Sequence, residues 1–219
     1  MEVTVNGVRL FYEVQGQGQP LILVHGNGER HEIFDAVIPE LQKEYRVYAV
    51  DSRCHGRSED TPDISYNLMA QDLLAFMDAL EIQSPIFYGF SDGGIIGLLI
   101  AMQAPGRLSR LIISGANCQV KGLTAWTIFE MKVHYFFTHS KLDRMMLTEP
   151  NIPLEDLERI TVPTHILAGS HDVIRESHTR ALAAHIPNST LEILPGEGHD
   201  SYIIHSKKLY PILKKYLSA

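Results

Sequence analysis

Gly89, Ser91 and Gly93 stand at alternate positions within Ile86-Phe87-Tyr88-Gly89-Phe90-Ser91-Asp92-Gly93-Gly94. This spacing constrains the chain more than any other feature. A short apolar run leads in, as a buried strand would. Two glycines lead out into Ile95-Ile96-Gly97-Leu98-Leu99-Ile100-Ala101, as a buried helix would. Gly-x-Ser-x-Gly between a strand and a helix marks a turn so sharp that the serine hydroxyl stands clear of the sheet. The flanking residues must be tiny, because the two backbones nearly touch and a Cβ would clash.

The 219 residues suit one α/β domain, read as 1–219. Hydrophobic residues make up 45% and charged residues 21%, an ordinary globular balance. The net charge of -7 argues against nucleic acid or an anionic membrane as main partner. Cys54 and Cys118 lie far apart in no metal-like spacing and read as free thiols in a reducing compartment. The first residues lack a basic patch followed by a long apolar core, and no apolar run is long enough to span a bilayer. These features point to a soluble cytoplasmic protein. The sequence carries no signal for oligomeric state.

Residues 2–5 and 8–14 read as strands joined at Asn6-Gly7, a strong hairpin signal. Leu21 to His25 is an apolar run typical of a strand buried on both faces. Apolar spacing predicts helices over 31–43 and 65–81, and a strand over 46–50 between them. After the Ser91 turn, strands are expected at 108–114, 163–169 and 190–194, with a helix at 175–185. A C-terminal helix is expected over 201–217, kinked or restarted at Pro211. Residues 119–158 break the alternation and read as helical.

Alternating strands and helices predict a mostly parallel sheet of about eight strands, covered on both faces. Ligands bind such sheets at the carboxyl ends of the strands. His25, Asp51, Ser91, Asp172 and His199 each follow a predicted strand. They should therefore gather at one sheet edge, although they are far apart in the chain. A serine hydroxyl needs a base to become an effective nucleophile. Histidine suits that role at neutral pH, and a carboxylate fixes its tautomer.

The motifs together resemble the α/β-hydrolase fold superfamily over nearly the whole chain. His25-Gly26-Asn27-Gly28 resembles its oxyanion loop. Asp51-Ser52-Arg53-Cys54-His55-Gly56-Arg57-Ser58 resembles its Asp-x-Arg-Gly-His-Gly-x-Ser loop, with Cys54 in place of the usual glycine. Gly169-Ser170-His171-Asp172 resembles the acid loop, and Gly196-Glu197-Gly198-His199 the histidine loop. Ser91, Asp172 and His199 follow the family's order of nucleophile, acid and histidine. The resemblance implies a serine hydrolase that cleaves an ester, thioester, lactone or related bond of a small molecule through an acyl-serine. It implies Ser91 as nucleophile, His199 as base, Asp172 as its orienting acid, and the backbone N–H groups of Asn27 and Asp92 as oxyanion donors. His25 and His55 are expected to shape loops. No metal or cofactor is expected. The same triad also serves cofactor-free perhydrolase or haloperoxidase chemistry and C–C bond hydrolysis. A binding or receptor protein could keep the fold with little turnover.

Asp92 stands where many family members carry an uncharged residue. The Gly-Phe-Ser-Asp-Gly-Gly form resembles the elbow of valacyclovir-hydrolase-like members. The carboxylate is either a first-turn acid that favours the helix dipole or an attractor for a cationic substrate group. The segment at 119–158 sits where this family inserts its cap, and its length implies a reduced one. Trp126, Phe129, Val133 and Phe136 fall at helical spacing there. The aromatic stripe is expected to pack within the lid, with Trp126 and Phe129 as its candidates for substrate contact.

Overall fold

Asn6 and Gly7 both adopt positive φ, 50° and 75°. That is the geometry a two-residue hairpin needs to match strand twist, and it joins β1 (Glu2–Val5) to β2 (Val8–Gln15). The computed structural model describes residues 1–217. Ser218 and Ala219, the last two residues of the expected domain, lie outside the described residues.

The remaining strands are β3 (Gln19–Val24), β4 (Tyr45–Val50), β5 (Ile86–Phe90), β6 (Arg110–Ser114), β7 (Thr164–His171) and β8 (Ser189–Gly198). They form an eight-stranded sheet in the order β1-β2-β4-β3-β5-β6-β7-β8. Only the β1–β2 and β2–β4 pairs are antiparallel. This is the α/β architecture expected from the alternation of elements.

Side chains alternate across the pleat, so each inner strand feeds two cores. Ile22 and Val24 face one side, with α2 (Tyr66–Ala79), α3 (Asp92–Gln103) and α6 (Glu176–His185). Leu21 and Leu23 face the other, with Phe34, α1 (Ile38–Leu41) and α7 (Leu209–Leu217). Burial on both faces is why these strands read as unbroken apolar runs.

Two expected helices are shorter than their spacing implied. Residues 31–43 hold a 3-10 turn at His31–Phe34 and then the single turn of α1. Pro39 is the reason: inside a longer helix it could not donate to Asp35, whereas at the start of a new helix no donor is needed. The C-terminal helix begins at Leu209, after turns over 201–208. Pro211 is its third residue, so its missing N–H falls where helices have no intrahelical acceptor. The proline therefore restarts the helix.

Between β6 and β7 the chain forms a 3-10 turn at Val120–Gly122, α4 (Ala125–Thr138), α5 (Lys141–Thr148) and a 3-10 stretch at Leu154–Arg159. Thr124 and Ser140 cap α4 and α5 by accepting from the N–H groups of Thr127 and Asp143. Among the described residues no helix is long and apolar enough to cross a membrane.

Candidate active site

Ser91 occupies the turn between β5 and α3 with φ 52° and ψ -113°, a strained conformation for a residue with a side chain. Its N–H donates to the Ser114 carbonyl at 2.8 Å. A Cβ at Gly89 would overlap the Gly93 carbonyl, and one at Gly93 would overlap the Val24 carbonyl. The two glycines thus allow the helix to start against the sheet, which pushes Ser91 outward.

β7 and β8 continue pairing beyond the expected strand ends, through a register shift, as far as His171 opposite Gly198. The next residue of each strand is Asp172 and His199. Pairing of the strand ends therefore sets the acid beside the histidine. His199 Nδ1–H donates to Asp172 Oδ1 at 2.7 Å, and the Ile174 N–H reaches the same oxygen at 2.9 Å. A carboxylate can only accept, so the proton sits on Nδ1 and leaves Nε2 as an acceptor. The Ser91 hydroxyl lies 3.1 Å from that nitrogen. The Asp172 side chain is 2% exposed and that of His199 is 19%. The acid is thus shielded while the imidazole still meets the cavity.

The loop after β3 lies against the turn. Gly93 N–H donates to the His25 carbonyl at 3.1 Å. Asn27 Nδ2 donates to Asp92 Oδ2 at 2.9 Å, and the Tyr66 hydroxyl donates to Asp92 Oδ1 at 2.8 Å. Asp92 is buried, which raises its pKa, while these two donors act the other way. Among the described residues no other group engages the backbone N–H of Asn27 or Asp92. Glu29 folds back so that its carboxylate accepts from the Gly26 N–H at 2.8 Å. Burial raises the Glu29 carboxyl to about 7.

His25 and His55 lie outside the serine–histidine–acid chain. His25 Nδ1–H donates to the Gly26 carbonyl, and its Nε2 accepts from the Ser52 N–H. Burial, with His55 alongside, lowers the His25 imidazole to about 3, so it stays neutral. Asp51 accepts from the N–H groups of His31 and Arg57 and from the His31 ring. The loop after β4 is thus a hydrogen-bonded brace beneath the site.

A cavity of about 150 Å³ opens over Ser91 and His199, lined on its apolar side by Leu123, Met131, Met146, Val173 and Ile174. Asp92, Tyr66, Asn117 and Glu149 form its polar side. No lysine or arginine is among the lining residues. Trp126 and Phe129 are not among them either: α4 turns Thr127 and Met131 to the cavity instead. Trp126, Phe129, Val133 and Phe136 face solvent, which overturns the expected packing of the aromatic stripe Trp126, Phe129 and Phe136 within the lid. The sequence reading followed the larger apolar face of α4, but the fold buries the opposite one. It also missed Gly115, whose bare Cα makes room for the His199 ring. Its position after a strand, next to Ser114, was the available signal.

The alpha/beta hydrolase fold family model matches residues 19–147. The chain belongs to the alpha/beta hydrolase fold family. It is an α/β-fold enzyme of the serine hydrolase type. This hydrolase is 25% identical to the serine hydrolase BPHL of Homo sapiens over 250 residues, covering 99% of this chain and 85% of that protein. It is 25% identical to the pimeloyl-[acyl-carrier protein] methyl ester esterase of Aliivibrio salmonicida over 258 residues, covering 95% of each. The enol-lactonase of Burkholderia xenovorans LB400 shares the fold, with a TM-score of 0.83 at 21% identity over 100% of both chains.

Proposed function

We propose that the hydrolase cleaves small carboxylic esters, thioesters or lactones through an acyl-serine. The observation that carries this reading is the continuous hydrogen-bonded chain Ser91–His199–Asp172, beside two unengaged backbone N–H groups. Ser91 Oγ attacks the carbonyl carbon while His199 Nε2 takes its proton. Asp172 holds the imidazole in the Nδ1–H tautomer and stabilises the imidazolium. The N–H groups of Asn27 and Asp92 receive the oxyanion, and losing one such donor typically costs about 100- to 1000-fold in rate. His199 then protonates the leaving group, and water repeats the sequence on the acyl-serine.

The cavity is small, so short acyl groups fit this reading. Residues 119–158 act as a reduced lid on one domain, and α4 roofs the acyl side through Thr127 and Met131. The esterase and lactonase names of the relatives support ester-type chemistry. The two free cysteines suit a reducing, cytoplasmic setting.

A second reading concerns Asp92. Asp92 and Glu149 line the cavity with no cation among the lining residues. Negative charge in a partly dry cleft favours a cationic group on the substrate, such as an α-amine.

Labelling with a fluorophosphonate probe and turnover of a p-nitrophenyl ester panel test the main reading. Wild type labels and turns over, and Ser91→Ala does neither. An unlabelled, inactive wild type overturns the hydrolase assignment. Turnover only with peroxide and halide would instead assign haloperoxidase chemistry. For Asp92, amino-acid esters are compared with their N-acylated forms. A preference for the free amine that Asp92→Asn abolishes supports the second reading, and no preference removes it.

A further inference from the structure

The outer face of α4 carries Trp126, Phe129, Val133, Phe136 and Phe137, which are 66%, 55%, 41%, 72% and 76% exposed. Within α4 only Met131 is buried. The first four are spaced three, four and three residues apart, so they form one stripe along the helix. Aromatic side chains carry roughly 150–250 Å² each, so the four aromatic residues alone expose on the order of 500 Å² of apolar surface. That matches the largest patch an ordinary monomer shows, about 300–600 Å², which is often functional.

We infer that this stripe is an isologous interface, on which α4 of a second copy of this chain packs antiparallel about a two-fold axis that crosses the stripe midway between Phe129 and Val133. Three observations select this occupant. The 3-4-3 spacing is palindromic, so a two-fold through the middle of the stripe sets Trp126 against Phe136 of the second copy and Phe129 against Val133. A symmetric pair requires such self-complementarity. The exposed area is most of the roughly 800 Å² per partner that a stable interface buries, and the helix flanks supply the remainder. The net charge of -7 opposes an anionic lipid surface as the alternative. Because the inner face of α4 lines the cavity through Thr127 and Met131, the pairing would also hold the roof of the site in place.

The chain supplies its own reporter, since Trp126 is its one tryptophan and lies in the stripe. Sedimentation equilibrium and tryptophan emission are followed together on the full chain as concentration rises. Wild type moves from 24.6 kDa toward twice that mass, and emission shifts to the blue over the same range. Phe129→Glu stays at the single-chain mass with red emission. The double variant Phe129→Glu with Val133→Lys regains the dimer, because each new glutamate meets the other copy's new lysine. All these positions are exposed, so the variants keep the fold. Retained p-nitrophenyl ester turnover by the Phe129→Glu monomer would separate failure of pairing from failure of the hydrolase reading. A wild type that stays at one chain's mass, a dimer indifferent to Phe129→Glu, or a double variant that stays monomeric overturns the inference. A blue shift that appears only with phosphatidylcholine vesicles overturns it too, and assigns the stripe to a lipid surface.

Discussion

Asn27 Nδ2 donates to Asp92 Oδ2 at 2.9 Å, so the two residues proposed to offer oxyanion N–H groups are also joined through their side chains. The loop after β3 and the turn after β5 thus hold their relative position by more than backbone contact. Asn27→Ala removes this bond while keeping both N–H groups. It is expected to lower kcat about 10- to 100-fold with little change in KM, because the donors drift from the oxyanion position. Steady-state kinetics on one p-nitrophenyl ester check this. An unchanged kcat would mean that backbone contacts alone align the hole.

Gly115 has φ +59°, and a Cβ there would stand 2.7 Å from His199 Cε1. Gly115→Ala therefore pushes the imidazole away from Ser91. A displacement of about 1 Å can cost about 100-fold in rate, and a loss of that order is expected in kcat. Far-ultraviolet circular dichroism would confirm that the sheet persists. Full activity in the folded variant would show that His199 tolerates the shift.

Glu29 links pH to stability. Burial raises its carboxyl from 4.5 to about 7, with the Gly26 N–H and His199 pulling the other way. The folded chain therefore holds this proton more tightly than the unfolded chain. The resulting stabilisation is complete below pH 4.5 and is lost as pH rises through 7. Glu29→Gln keeps an acceptor for Gly26 but cannot ionise. Relative to wild type it should gain about 1–2 kcal/mol between acid and mildly alkaline pH, allowing for the partial exposure of Glu29. Urea unfolding at about pH 4.5 and about pH 8 measures this. An equal difference at both pH values would sink it.

Arg53 and Asp72 form a buried bidentate pair, with Nε to Oδ2 at 2.5 Å and an Nη to Oδ1 at 2.7 Å. The pair ties the loop after β4 to α2, and Asn6 adds a third donor to Asp72. Removing one partner strands the other charge in a dry site. Asp72→Ala is expected to cost about 3–5 kcal/mol in unfolding free energy. A loss below about 1 kcal/mol would mean that water reaches Arg53.

Much of the fold was legible because local pattern and burial agree. The apolar runs at 21–24 and 86–90 read as strands because both faces of the sheet are covered. The turn at Ser91 was legible because only glycine fits at 89 and 93. Helix lengths around Pro39 and Pro211 were misread because spacing reports a face, whereas a missing N–H decides where a helix starts. The segment 119–158 was misread for a different reason. Its helix carries apolar residues on two faces, and hydrophobicity along the chain does not say which face meets the cavity.

The sequence by itself determined the order of strands and helices, the sharp turn that exposes Ser91, and the loops bearing Asp172 and His199. These depend on local backbone sterics and on period, which neighbouring residues encode. Only the tertiary structure decided that β7 and β8 pair far enough to set Asp172 beside His199. It also decided that Asn27 and Tyr66 hold Asp92, and that Thr127 and Met131 rather than Trp126 and Phe129 turn to the cavity. Those outcomes rest on contacts between segments tens of residues apart, where the packing of the whole sheet selects among faces that the chain alone leaves equivalent.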